Sequence, residues 1–184
     1  MLGLPVPAAA HGMRVGEFYA GLAQPLFHPE SLLLLLAFGI WAGRREPHPP
    51  GALPLVFVVA VGVGASAGLV GLALPPAAWA VRAGALVFGL LAAAERTAPL
   101  PVAALLCAVV GLGHGHVAAF EDRGAAERPI LYALGVALAP LLAWGQVAAF
   151  TERVRAFWAR VGLRVAASWI ATIALLVSAL GLSQ

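Results

Sequence analysis

The residues from Leu100 to Phe120 read LPVAALLCAVVGLGHGHVAAF and contain no formally charged side chain. A helix of about 20 mostly apolar residues is long enough to cross a bilayer. The rest of the chain has the same character, because 62% of its residues are hydrophobic and only 10% are charged, whereas a soluble domain has about 25% charged residues. With a mean hydropathy of +0.95, the sequence predicts an integral membrane protein.

Five further apolar runs accompany this one, and together they predict an all-α, polytopic bundle of six transmembrane helices. The predicted spans cover about 26–43, 53–74, 77–94, 100–120, 130–150 and 165–182. Charges or prolines separate them in the stretches 44–50, 75–76, 95–99, 121–129 and 151–164. Small residues recur within the spans, as in the pair Gly64 and Gly68, and favour close packing of helices. We therefore expect one transmembrane domain over residues 26–184.

Residues 1–25 form a separate N-terminal segment in this prediction. The small residues Ala8 to Ala10 resemble the cleavage site of a signal peptide, which favours a signal-peptide remnant, with an ordinary apolar leader as the alternative. Cleavage after Ala10 would leave His11 as the first residue, with an amine and an imidazole able to chelate a metal. Residues 13–25 predict a short interfacial helix.

The distribution of arginine predicts the orientation of the bundle. Arginine supplies all eleven basic residues, and cytoplasmic loops are enriched in positive charge. The loops after the first, third and fifth spans carry seven arginines, and the opposite side carries three or four. The seven are Arg44, Arg45, Arg96, Arg153, Arg155, Arg160 and Arg164. We therefore expect both termini outside, in the periplasm of a bacterium.

Two histidines, His114 and His116, lie near the outer end of the predicted fourth span. An ionisable residue within a membrane is costly and is a functional candidate by default. Side chains two residues apart on a regular helix point about 200° away from each other, so both could bind one ion only if the helix is distorted. Because Gly111, Gly113 and Gly115 surround them and glycine tolerates unusual backbone angles, we expect a distorted helix here. The alternative is that the two rings face different neighbours.

Further potential ligands lie at the same predicted depth, since His28 and Glu30 open the first span and Glu121 and Asp122 follow the fourth. Imidazole suits nickel, cobalt, copper and zinc, and carboxylate widens the choice. The sequence therefore predicts a metal site with the candidate ligands His28, Glu30, His114, His116 and Glu121. A structural interpretation stands beside it, because an acidic residue in a first turn interacts favourably with the helix dipole.

Several classes of function are disfavoured. Cys107 is the single cysteine, so neither an intramolecular disulfide nor a cysteine zinc site can form. The chain has no Walker A sequence for nucleotide binding, and its arginines lie between apolar runs rather than on one polar face as in a nucleic-acid-binding domain. No serine–histidine or paired-aspartate constellation is present, so we expect no enzymatic activity.

Three stretches of the chain carry familiar motifs. The first runs from Gln24 to Trp41, with a His-Pro pair followed by a leucine-rich run; the second is Gly113-His114-Gly115-His116 followed by Glu121; the third is Tyr132-Ala133-Leu134-Gly135. These motifs and the predicted six spans resemble the HupE/UreJ permeases, accessory proteins of nickel hydrogenase and urease systems.

The chain matches the family pattern at His114, His116 and Glu121 and departs from it elsewhere. On a gapless alignment, His28 falls where the family has glycine. The other departures are Gln24 for His, Glu30 for Asp, Ser31 for His, Ala78 for Glu and Ala118 for His. The resemblance therefore implies only part of the family's ligand set.

The resemblance implies a secondary permease that carries a divalent transition metal, nickel or cobalt, across the bacterial inner membrane. In this reading His114 and His116 capture the ion, Glu121 or Asp122 attracts it, and Glu30 completes the shell, with His28 as a further ligand. We expect no tightly bound cofactor, and the bilayer and the ion as partners. The alternative is a non-transporting membrane accessory protein for hydrogenase or urease maturation, and partnership with a second copy or with maturation proteins stays open.

Overall fold

Every regular element in the part of the chain that the computed structural model describes is an α-helix, which confirms the predicted all-α class. The structure describes residues 16–44, 52–122, 128–154 and 156–181. The helices in these ranges are α1 (Glu17–Phe27), α2 (Pro29–Ala42), α3 (Ala52–Leu69), α4 (Ala77–Ala93), α5 (Leu100–Asp122), α6 (Pro129–Arg153) and α7 (Phe157–Gly181). The predictions that concern Ala10 and His11 lie outside the described residues.

Four of the described helices, α3, α5, α6 and α7, are long and apolar enough to cross a membrane. Helices α1 and α2 are long and apolar enough only when they are taken together, as a pair bent by 82°, which raises the number of candidate spans in the described residues to five. Helix α4 is apolar but has 17 residues, or about 26 Å at 1.5 Å per residue. The count of six spans and the orientation of the termini therefore stay predictions.

The break between α1 and α2 falls at His28 and has a local cause. Pro29 is the first residue of α2, and a proline disfavours helical backbone angles in the residue before it. His28 accordingly has an extended backbone, with φ −116° and ψ 97°. The predicted first span over about 26–43 therefore includes the end of α1 and the break as well as α2, and its start in the membrane stays a prediction.

Helix α1 packs onto α6 through two glycines. A Cβ atom on Gly21 would collide with the carbonyl oxygen of Tyr132, and one on Gly135 would collide with the carbonyl oxygen of Phe18. Only residues without a side chain allow the two backbones to come this close. The helix predicted over 13–25 is therefore present as α1 over Glu17–Phe27 and packs on α6, and its location at the membrane interface stays a prediction.

The same device joins α3 to α5, the helix that carries the two candidate histidines. A Cβ atom on Gly64 would collide with the carbonyl oxygen of Leu112, and one on Gly115 would collide with the carbonyl oxygen of Val61. Glycines on both helices thus let the two backbones touch, as the spacing of Gly64 and Gly68 predicts.

Charged residues from three helices meet at one end of the bundle. The Nη1 atom of Arg44 lies 3.1 Å from the Oε1 atom of Glu95, and the Nη2 atom of Arg160 lies 3.8 Å from it. The Nε atom of Arg164 donates to the carbonyl oxygen of Ala93 at 3.0 Å. We call the group Arg44, Glu95, Arg160 and Arg164 the arginine end. The prediction of a polar loop over 151–164 is wrong, since α7 already begins at Phe157 and presents its arginines from helical turns.

The opposite ends of α2 and α4 carry the candidate site. We call the group His28, Glu30, Arg82, His116 and Glu121 the histidine end. Between the two ends lies an aromatic core of buried rings: Phe38, Trp41, Phe57 and Phe88. The Phe38 and Phe57 rings stack with centroids 4.7 Å apart, so α2 and α3 are fixed against each other below the site.

Candidate metal site

Helix α5 is continuous from Leu100 to Asp122, through both histidines. The prediction that the surrounding glycines distort the helix is therefore wrong. Their physical role is packing on two sides: a Cβ atom on Gly111 would lie 2.6 Å from the Phe57 carbonyl oxygen of α3, and one on Gly113 would lie 2.9 Å from the Ala77 carbonyl oxygen of α4. The glycines clamp α5 between its neighbours instead of unwinding it.

Because the helix is regular, the two histidine rings face different neighbours, which was the alternative interpretation of the sequence. The His114 side chain is buried, with 1% of its surface exposed. Its ring lies 6.4 Å from the ring of Phe57, centroid to centroid, at an angle of 29°. Neither ring nitrogen of His114 has a hydrogen-bond partner among the described residues.

An unpartnered imidazole in an apolar interior is energetically costly. Burying a polar group without a hydrogen bond costs about 1–3 kcal/mol by protein mutational measures, and most buried polar atoms in native proteins are paired. A buried polar group that has no protein partner is a candidate for binding a ligand. A neutral imidazole can offer the lone pair of one ring nitrogen to a metal ion. The assignment of His114 as a metal ligand therefore stays a prediction.

His116 is held by the backbone instead. Its Nε2 atom lies 2.6 Å from the carbonyl oxygen of Leu72, and its ring stacks on Phe120 with centroids 5.1 Å apart. A carbonyl oxygen can only accept, so Nε2 carries the proton and the lone pair of the neutral ring is at Nδ1. That Nδ1 atom is buried without a partner among the described residues, and the contact with Leu72 therefore fixes which nitrogen could bind a metal.

The break at His28 brings this residue to the end of α5. Its Nδ1 atom lies 3.9 Å from the Oε2 atom of Glu121, and the two side chains are 38% and 54% exposed. The structure thus brings together two of the five predicted ligands, His28 and Glu121, near the surface, while His114 is buried inside the bundle.

Glu30 takes a different direction from His28, although only Pro29 separates them. The Nε atom of Arg82 donates to both carboxylate oxygens of Glu30, at 3.2 and 3.1 Å. Glu30 therefore has a cation already, supplied by α4. Within the described residues, no three histidine, cysteine, aspartate or glutamate side chains are arranged to hold one ion.

Two side chains of interest escaped the reasoning from sequence. Arg82 was counted only as the fourth arginine on the outer side when the orientation was predicted. An arginine inside an apolar span needs an acidic partner, and Glu30 lies at the same depth. Gln24 entered only as a departure from the family pattern. It is buried, and neither its amide oxygen nor its amide nitrogen has a partner among the described residues.

The comparison with known proteins agrees with the motifs on α5. The family model described as HupE / UreJ protein matches residues 1–180. The chain belongs to the HupE/UreJ family. It is 33% identical over 152 residues to Protein HupE of Rhizobium leguminosarum bv. viciae, an alignment that covers 76% of this chain and 80% of that protein. No solved structure matches the chain.

The motif residues of this HupE/UreJ chain lie close to one another along α5. His114, His116 and Glu121 lie in the last three turns of α5, and His28 lies beside Glu121. The residues that match the family pattern therefore gather at the histidine end, among helices apolar enough to lie in a membrane.

Proposed function

We propose that this HupE/UreJ chain is a secondary permease that carries a divalent transition metal, nickel or cobalt, across the bacterial inner membrane. The observation that carries the proposal is the buried His114 ring, which has no hydrogen-bond partner among the described residues and lies on the same helix as Glu121, the partner of His28. Imidazole and carboxylate together suit these metals. The proposal includes no catalytic step and no resident cofactor.

The arrangement of charge and burial suggests an order of contacts for the ion. Glu121 is half exposed, so its carboxylate can attract a cation from solution. His28 stands next to it and can share the ion. His114 then offers a nitrogen inside the bundle, where burial removes competing water. Release follows when a histidine or glutamate ligand takes up a proton, because a metal ligand must be deprotonated.

The proposed path requires the chain to cross the membrane six times. We count the bent pair of α1 and α2 as one broken span and α4 as a short one, beside the four long helices α3, α5, α6 and α7. Broken helices that line a cavity are a recurring feature of transporter sites, and His28 sits in this break. The arginine end then faces the cytoplasm, as positive charge favours, and the histidine end faces the periplasm.

Uptake of nickel in cells that lack other nickel importers tests the proposal. We expect the wild-type chain to restore accumulation of ⁶³Ni and the His114→Ala, His116→Ala double variant to lose it. His48→Ala is the matched control, since the sequence places that histidine in the proline-rich stretch between the first two predicted spans. Equal accumulation by the double variant and the wild type, at equal protein levels in the membrane, would refute the site assignment.

A second function is favoured by one specific observation. Glu30, which the family pattern makes a candidate ligand, forms an ion pair with Arg82. Because this pair removes one candidate ligand from the site, it supports a membrane accessory protein that holds metal for hydrogenase or urease maturation without transporting it. Purified protein in sealed vesicles separates the two functions. Nickel binding with no flux favours the accessory protein, whereas time-dependent nickel entry favours the permease.

A further inference from the structure

The ion pair between Glu30 and Arg82 is the most complete polar contact at the histidine end. A single donor, the Nε atom of Arg82, reaches both oxygens of the carboxylate at 3.2 and 3.1 Å. The two side chains are 36% and 22% exposed, so solvent reaches them only in part. Glu30 belongs to the first turn of α2 and Arg82 to the second turn of α4, and both helices start at this end.

The surroundings of the pair favour this one arrangement. The Arg82 guanidinium carbon lies 5.5 Å from the centroid of the Trp79 ring, a distance at which a cation is attracted by the face of the ring. Leu33, Ala85, Ala174 and Val177 line the space around the two charges. Apolar neighbours raise the strength of the attraction between the charges, because the local dielectric is low. Glu30 is therefore turned towards α4 and α7.

The direction of Glu30 matters because His28, two residues earlier, contacts Glu121 at the end of α5 instead. Without Arg82, the carboxylate of Glu30 would be an unpaired negative charge two residues from His28. A divalent cation would then have two carboxylates and the histidine rings within the same end of the bundle. With Arg82 in place, one of those carboxylates is neutralised and a fixed positive charge stands near the path of the ion.

We propose that Arg82 is a tethered counter-ion that holds Glu30 out of the ion's ligand set and thereby weakens the grip of the histidine end on a divalent cation. The inference rests on the proposed function only in assuming that this end binds such an ion. A permease needs a site that binds well enough to load and weakly enough to release. Arg82 supplies the second condition, since its positive charge cancels the attraction between the Glu30 carboxylate and the bound cation.

A purely structural ion pair, which only fastens α2 to α4, makes different predictions from a counter-ion. Loss of a structural pair changes the stability of the fold and leaves the affinity for metal unchanged. Loss of the counter-ion changes the affinity in opposite directions for the two partners, because removal of Arg82 frees a negative charge and removal of Glu30 frees a positive one. Removal of both charges restores the balance.

The test is a double-mutant cycle on the full chain, purified in lipid nanodiscs and titrated with NiCl2 against a chromogenic chelator. We expect Arg82→Gln to bind Ni²⁺ roughly tenfold more tightly than the wild type and Glu30→Gln to bind it roughly tenfold more weakly, as expected for one unit charge near a partly buried site. We expect the Glu30→Gln, Arg82→Gln double variant to return to within about threefold of the wild type, the scatter typical of such cycles.

The double variant decides between the roles of Glu30. It removes both charges at once, so it leaves no buried charge unpaired and is the variant most able to fold if a single one fails. A double variant that binds Ni²⁺ more than about threefold less tightly than the wild type makes Glu30 a direct ligand and overturns the inference. Arg82→Lys keeps the charge, and we expect an affinity close to that of the wild type; a tightening equal to that of Arg82→Gln also overturns it.

The failures of this inference and of the proposed function can be told apart. A wild-type chain that binds Ni²⁺ but does not carry it into vesicles refutes the permease, and the cycle of affinities still decides the role of Arg82. Variants that all bind as the wild type does, in a chain that transports nickel, refute the role of Arg82 alone. Thermal unfolding of each variant, followed by intrinsic tryptophan fluorescence, shows separately whether the pair fastens α2 to α4.

Discussion

His116 and Leu72 are joined by a contact of 2.6 Å between the Nε2 atom and the carbonyl oxygen, whereas the ring of His114, two residues earlier and on another face of α5, has no hydrogen-bond partner in the described part of the chain. Two histidines at the same depth thus differ in hydrogen bonding, since one ring has a partner among the described residues and the other has none. One fastens the end of α5 to the segment after α3. The other keeps an unpartnered imidazole inside the bundle, and this difference can be measured.

His114→Leu is expected to separate stability from function. Leucine fills much of the space of the ring and removes two unpartnered nitrogens, a change that is close to neutral or stabilising when no partner is left behind. We expect the midpoint of thermal unfolding in detergent to stay the same or rise, and nickel uptake in importer-deficient cells to be lost. A His114→Leu chain that is markedly less stable than the wild type would show that the ring is a packing residue.

His116→Leu is expected to behave in the opposite way on stability. The substitution removes the donor that the Leu72 carbonyl oxygen has now, and a typical intramolecular hydrogen bond contributes about 0.5–1.5 kcal/mol to stability. We expect a lower midpoint of thermal unfolding and faster proteolysis near Leu72. Ser168→Ala serves as a control, because the Ser168 hydroxyl bonds only within its own helix, to the carbonyl oxygen of Val165 at 2.8 Å. The prediction is contradicted if both variants unfold at the same temperature.

Gly115→Ala tests the close approach of α3 and α5. The new Cβ atom would collide with the carbonyl oxygen of Val61, and relief of such overpacking typically costs about 1–3 kcal/mol. Gly62→Ala is the matched control on α3, because nothing lies within 4 Å of a Cβ atom there and alanine in a helix gains up to about 1 kcal/mol over glycine. We expect opposite shifts of the unfolding midpoint in the two variants.

The glycines also show where prediction from sequence stopped. Apolar run lengths were enough for the helical class and for the position of α5, and the spacing of Gly64 and Gly68 was enough for close packing. The structural role of Gly111, Gly113 and Gly115 could not be predicted from their spacing. A glycine beside a functional residue permits both a broken helix and a tight crossing, and only the carbonyl groups of α3 and α4 that face these positions decide between them.

The candidate site was predictable residue by residue but not as a set. The order of residues gives the depth of His28, Glu30 and Glu121 in a span, but a side chain's partner depends on how helices rotate against one another. That is why Glu30 was expected beside the histidines and lies with Arg82 instead. The break at His28 was within reach, since Pro29 disfavours helical angles at the preceding residue.

Glu121→Gln is expected to affect capture of the ion more than its passage. The carboxylate lies at the surface beside His28, and a surface charge raises the local concentration of an oppositely charged ligand. We expect the nickel concentration for half-maximal uptake to rise roughly tenfold with little change in the maximal rate, and the difference to shrink at high salt because surface charges are screened. Glu152→Gln, on an exposed residue in the last turn of α6, is expected to leave both quantities unchanged.

Labelling of single cysteines is expected to place α4 across the membrane. Ala73, Thr97 and Arg128 are exposed residues between helices, before α4, after α4 and before α6. Each is changed to cysteine in a Cys107→Ala background, which removes the buried native thiol. If the chain crosses six times with both termini outside, an impermeant maleimide applied to spheroplasts labels Ala73→Cys and Arg128→Cys, and it labels Thr97→Cys only after the membrane is opened. Labelling of Ala73→Cys and Thr97→Cys from the same side would mean that the 17 residues of α4 do not cross, and labelling of Thr97→Cys alone in intact spheroplasts would reverse the orientation.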